Sequence, residues 1–109
     1  MSPDRPFLLV RARPKDEARR RFEPWFREVH LKDVTRIPGI AEVQAGRTPA
    51  GTRLGFYTFE SADAVQGALQ SPQAAYTRGT WEQWAGDLIE LSIEIFAPLF
   101  PLPIYQASS

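Results

Sequence analysis

Leu88 to Phe96, LIELSIEIF, alternates without a break, with Ile89, Leu91, Ile93 and Ile95 on one side and Glu90, Ser92 and Glu94 on the other. A side-chain period of two belongs to an extended strand. The chain must therefore build a sheet with an apolar face, and that face needs a cover. Three other stretches can complete the sheet. Phe7 to Arg13 (FLLVRAR), between Pro6 and Pro14, sets Leu8, Val10 and Ala12 against Phe7, Leu9, Arg11 and Arg13. Ile40 to Arg47 (IAEVQAGR) opposes Ala41, Val43 and Ala45 to Glu42 and Gln44, and Arg53 to Phe59 (RLGFYTF) is rich in the aromatics that strands favour. Thr48 to Thr52, TPAGT, is a turn that makes a hairpin of these two.

The cover comes from two helical regions. Phe22, Trp25, Phe26 and Val29 recur at i, i+3, i+4 and i+7, which predicts a helix over Phe22 to Val34 with these four on its inner face. Arg27, Glu28 and Lys32 fall on the opposite side, and Asp33 is the exception. Proline is tolerated in a first helical turn, so the main helix is expected to begin near Pro24, after a looser turn over Asp16 to Glu23. Ile37-Pro38-Gly39 stops it, because the residue before proline avoids the α region and glycine accepts positive φ. Ser61 is the expected N-cap of the second region, with Asp63 in its first turn. Ala62, Val65 and Leu69 face inward until Ser71-Pro72 interrupts. Helix then resumes from Gln73 to Ala85, with Trp81, Trp84 and Ala85 on one face, and Gly86 ends it.

The order β-α-β-β-α-β is the ferredoxin-like pattern, an α+β sandwich. In that topology the first and last strands are neighbours, so Arg11 and Arg13 share a face with Glu90 and Glu94. Opposite charges across neighbouring strands contribute about 0.2–1 kcal/mol per pair. Four charges on one sheet face need solvent or each other, and a second subunit's sheet would let them pair around an interface. A homodimer is expected.

A length of 109 residues suits one domain, 1–109. The formal net charge of zero removes any electrostatic case for nucleic acid or an anionic membrane surface. Without cysteine there is no disulfide, thiolate metal site or cysteine nucleophile. No stretch has the apolar core of a signal peptide or the length of a membrane span, so a soluble, cytoplasmic protein is expected. Ala97 to Tyr105 (APLFPLPIY) is apolar, but its three prolines forbid helix and discourage a central strand. Residues 97–109 are expected to form an extended arm, lying over a partner subunit or folding back on their own.

His30 is the only histidine. At about 100° per residue it projects along the edge of the apolar stripe. A neutral imidazole there can act as general acid or base, or can be a half-buried ring bonded to a carbonyl and nothing more. Trp25, Phe26, Tyr76, Trp81 and Trp84 come from the covering helices and could enclose a flat apolar ligand, with Tyr57, Tyr76 and Arg47 as candidate hydrogen-bonding partners. One histidine with scattered carboxylates is no metal-ligand set. The glycines form no phosphate loop. No acidic residue is spaced on the helix to orient His30 as a triad would require.

Trp25-Phe26-x-x-x-His30 followed by Ile37-Pro38-Gly39-Ile40 resembles the first helix and turn of the dimeric α/β-barrel proteins, particularly their EthD-like branch. As an order of elements, the resemblance covers about Phe7 to Phe96. It implies a ferredoxin-like subunit, a homodimer and a small-molecule pocket. The superfamily includes isomerases, polyketide cyclases, cofactor-free monooxygenases and haem enzymes. Its haem-degrading members depend on an asparagine, and this chain has none. Two functions follow as expectations. One is a cofactor-free isomerase, cyclase or monooxygenase-like enzyme in which His30 moves a proton on an apolar, aromatic or enolisable substrate. The other is a non-catalytic homodimeric module that binds a small ligand or only assembles.

Overall fold

The structure is a computed structural model and describes residues 5–98. Four antiparallel strands, β1 (Phe7–Pro14), β2 (Ile40–Arg47), β3 (Arg53–Phe59) and β4 (Leu88–Phe96), form one sheet in the order β2-β3-β1-β4. This is the ferredoxin-like α+β fold. Each strand lies within a residue of where alternation and flanking turns set it.

The register fixes the two faces. Leu8 lies opposite Tyr57 and Ile95, and Val10 opposite Gly55 and Ile93. Val10, Ala12, Tyr57 and Phe59 are buried under the helices, in two clusters with Phe22, Phe26, Val34, Trp81 and Trp84 on one side and Ile37, Ala68 and Ala74 on the other. The opposite face carries the expected charges, with Arg13 directly across from Glu90 and Arg11 across from Ser92. It also carries aromatics: Phe7 stacks on Phe96 at 4.7 Å and tilts against Phe56 at 5.8 Å.

One apolar row stays outside. Ile89, Leu91, Ile93 and Ile95 share the core face of the sheet but are 42–60% exposed, because the helical layer packs over β1 and β3 and leaves the edge strand open.

The first helical region departs from expectation in ways that matter. A 3-10 turn (Asp16–Ala18) runs into α1 (Arg19–Trp25), a π-helical turn (Phe26–His30) and α2 (Leu31–Thr35) without a break. The helix thus begins earlier than Pro24, which sits inside it rather than in its first turn. Its missing N–H deprives the carbonyl of Arg20, an exposed residue that water can serve. Val29, expected inside, is exposed, and His30, expected at the edge, is buried. A spacing of four residues overshoots the 3.6-residue turn by roughly 40° per step. Phe22, Phe26, His30 and Val34 would therefore drift off one line in a regular α-helix. The wider π turn restores the phase and keeps all four inside.

The second region also differs. Ser61 is not the N-cap; α3 (Ala64–Leu69) begins after Asp63 with no side-chain cap. Capping falls to Ser71, whose hydroxyl accepts from the Ala74 N–H at 3.1 Å and donates to the Ala68 carbonyl at 2.7 Å, opening α4 (Pro72–Thr80) with proline in its first turn. Helix gives way to a 3-10 turn (Trp81–Trp84) in which both tryptophans are buried, while Ala85 is exposed. No helix among the described residues is long and apolar enough to cross a membrane. Most of the expected arm, from residue 99 onward, lies outside the described residues.

Candidate functional site

His30 enters the core from the π turn and is 1% exposed. Tyr57 approaches from β3 on the same face, and its hydroxyl lies 2.8 Å from His30 Nε2. Aromatic rings hold the imidazole on several sides. Trp25 and Phe26 stack on it at 5.4 and 5.3 Å, and Trp81 meets it edge-on at 4.8 Å. His30 Nδ1 is buried with no partner among the described residues.

Burial sets the protonation of the pair. Desolvation by burial lowers the His30 pKa from 6.5 to about 4. The same desolvation raises the Tyr57 hydroxyl above its ordinary value. Both groups are neutral at physiological pH. Either the hydroxyl donates to Nε2 and Nδ1 carries the proton, or Nε2–H donates to the phenol oxygen and Nδ1 is a bare acceptor.

The pair forms part of the wall of a cavity of about 80 Å³. Leu8, Val10, Val34, Ile40, Phe59 and Trp81 make it almost wholly apolar. Among its lining residues Arg78 and Ile93 are exposed, so its mouth lies between α4 and β4. Pockets that enclose drug-sized ligands run to roughly 300–1,000 Å³. This one is well below that range.

The residues singled out from sequence divide cleanly. His30, Tyr57 and Trp81 line the cavity, and Trp25 and Phe26 pack on the imidazole. Trp84 stands behind them, edge-on to Phe22 at 5.0 Å and 5.4 Å from Trp25, with its indole N–H buried and without a partner among the described residues. Tyr76 is 65% exposed on the outer side of α4, in a groove with Asp33 and Arg36. Arg47 lies at the far end of the β2–β3 hairpin, in a separate concavity with Arg19 and Arg53. Neither faces His30. Thr77 and Arg78 line the cavity unforeseen, although Thr77 spends its hydroxyl on the Gln73 carbonyl and Arg78 bonds the Leu69 carbonyl. Among the described residues, no group of three His, Cys, Asp or Glu side chains could hold a metal ion.

No family model matches the chain, and none of the curated proteins does. Its fold is nevertheless shared with solved structures. An ethyl tert-butyl ether D (EthD) family protein from Bacillus halodurans superposes with a TM-score of 0.68 at 17% identity, over 86% of this chain and 99% of that one. Rv0793 from Mycobacterium tuberculosis gives 0.66 at 17% identity, over 88% and 96%. SnoaB, a cofactor-independent oxygenase from Streptomyces nogalater, gives 0.64 at 18% identity, over 92% and 98%. Several others are described as antibiotic biosynthesis monooxygenases, some of them as putative ones. At these identities the likeness establishes the ferredoxin-like fold of the EthD and antibiotic biosynthesis monooxygenase proteins.

Proposed function

We propose that this protein is a small-molecule enzyme that moves a proton without a cofactor, with His30 and Tyr57 as its acid–base pair. The observation that carries the reading is their 2.8 Å hydrogen bond in the wall of an apolar cavity, with one imidazole nitrogen left over.

The environment narrows the substrate. An imidazole whose pKa is held near 4 keeps a proton poorly when alone. It accepts one only if the donor leaves an anion beside it, so that the new cation is paired as it forms. A neutral, flat molecule with an enolisable C–H or a phenolic O–H meets that condition. When Nε2–H donates to the Tyr57 oxygen, the phenol proton is free to bond the developing oxyanion. Trp25, Phe26 and Trp81 exclude water around the pair, which strengthens these charge-dependent bonds. The likeness to a cofactor-independent oxygenase is consistent with this chemistry, and an oxygenase that first removes a substrate proton is one form of it.

The small cavity favours a second reading, a module that binds a small ligand without turnover. In either case we place a homodimer contact on β4, whose apolar row and free edge offer surface to a second copy. Sedimentation of wild type and of Leu91→Lys tests that contact, and a monomeric wild type would remove it.

The lone histidine makes the test direct. An NMR titration of the imidazole, alone and with a panel of phenols and β-diketones, is expected to show a pKa near 4 that rises with ligands able to leave an anion. An imidazole titrating near 6.5 and indifferent to every ligand would refute both the pocket and the acid–base role. A ligand response without turnover would leave the binding module.

A further inference from the structure

Gly55 lies in the middle of β3, opposite Val10 on one side and Ala45 on the other. Glycine there needs a reason, since it weakens a strand interior. Conformation is not the reason: the positive-φ glycines are Gly39, Gly51 and Gly86. Space is. A Cβ at position 55 would lie 2.6 Å from Tyr57 Cζ and 2.7 Å from Cε1, and closer still to the hydroxyl. The three nearest atoms all belong to this one ring, two residues along on the same face. Gly46, within β2, would meet nothing within 4 Å.

We infer that Gly55 is a positioning residue for the acid–base pair: it is the floor on which the Tyr57 ring lies down along its own strand, so that the hydroxyl reaches His30. A tyrosine on a strand ordinarily stands off the sheet. Standing upright, the Tyr57 ring would project into the space between sheet and helices where the cavity lies. Lying over Gly55, it puts its oxygen 2.8 Å from Nε2 and leaves that space open. An alanine would push the hydroxyl back to ordinary contact, which begins near 3.4 Å. The open space beside the buried ring is the cavity it lines, and a hydrogen bond of this kind works only over about 2.7–3.2 Å.

The inference rests on the reading of His30 and Tyr57 as a working pair, but its test reads the bond rather than turnover. Imidazole 15N spectra would be recorded on the full chain and on Gly55→Ala, Gly46→Ala and Tyr57→Phe. Gly55→Ala is expected to move the Nε2 resonance in the direction Tyr57→Phe does, while Gly46→Ala leaves it in place. A folded Gly55→Ala with the wild-type Nε2 resonance overturns the inference. If Gly55→Ala does not fold, Gly55→Ala/Tyr57→Leu decides. A folded double variant shows that the glycine serves the ring, and an unfolded one shows that it serves something else. If the resonance moves as expected but no variant or wild type ever responds to a ligand, the positioning stands and the catalytic reading falls.

Discussion

Two of the side-chain links between the first helical region and β3 are built from opposite chemistry. At the start of β3, Arg53 meets Glu23 on α1: its Nε and Nη2 reach the carboxylate while Nη1 donates to the Gly51 carbonyl at 3.0 Å. Further along both, His30 meets Tyr57. The first link is ionic and sits where Glu23 keeps about a third of its side chain in solvent, at 34%. The second is neutral and sits where neither ring sees water. Charge is affordable at the rim, where hydration and a backbone carbonyl complete the shell. Deeper in, the same desolvation drives both groups to their uncharged forms. The ionic link joins α1 to β3 away from the cavity and serves the fold. The neutral one lines a cavity and leaves Nδ1 without a partner among the described residues, which is why the proposed chemistry is assigned to it.

The largest break in this contrast is Glu23→Ala, which strands a buried guanidinium with only the Gly51 carbonyl. It is expected to cost about 3 kcal/mol, the low end of the range for unpairing a buried charge because water reaches the vacated site, read as a fall in urea midpoint at constant slope.

Next comes the pH dependence of the neutral link. The folded His30 pKa of about 4 lies below the ordinary 6.5, so between these values the unfolded chain binds more protons. The stability it preserves is fully present above pH 6.5 and drains away as pH falls to about 4, a loss of about 3 kcal/mol. His30→Phe keeps a ring in place and is expected to remove that slope. An unchanged slope would mean the imidazole is not buried as described.

Tyr57→Phe is smaller. It deletes one hydroxyl and leaves Nε2 without a partner, for about 1–2 kcal/mol at pH 7, with loss of any ligand response that needs the phenol. The smallest effects belong to Tyr76→Ala and Arg47→Ala, which are exposed and away from His30. Each is expected to change stability by less than about 0.5 kcal/mol and to leave ligand-induced shifts of the His30 signals as in wild type. A lost response in either variant would move the binding surface away from the cavity.

How legible these features were depended on their range. Alternation from Ile89 to Ile95 and the Pro-Gly stop at Pro38-Gly39 act within a few residues, and the strands they predict are present. The helix phase was read less well. A 3.6 period puts Val29 inside and His30 at the edge, whereas the π turn reverses them, a turn selected by packing against β1 and β3 rather than by propensity. Ser61 and Ser71 are equally good caps by residue type. Only the docking of α4 decides that Ser71 does the work. Aromatic content pointed to Tyr57 and to Tyr76 alike, and nothing local separates a ring beside His30 from one in solvent. One signal was available and informative: a glycine within a strand, outside any turn, two residues before a tyrosine.

By itself, then, the sequence determined the strands, their order and the apolar side of β1 and β4, because periodicity and stop residues express their energetics over a few residues of chain. In β2 a register shift between Ile40 and Glu42 leaves Ala41 exposed and packs Ile40 with Val43 on the core. Tertiary structure alone decided that His30 is buried, that its partner stands 27 residues away, and that the pair is neutral. The reason is physical. A hydrogen-bond partner, a dielectric and a cavity are properties of surfaces brought together, and no short segment carries them.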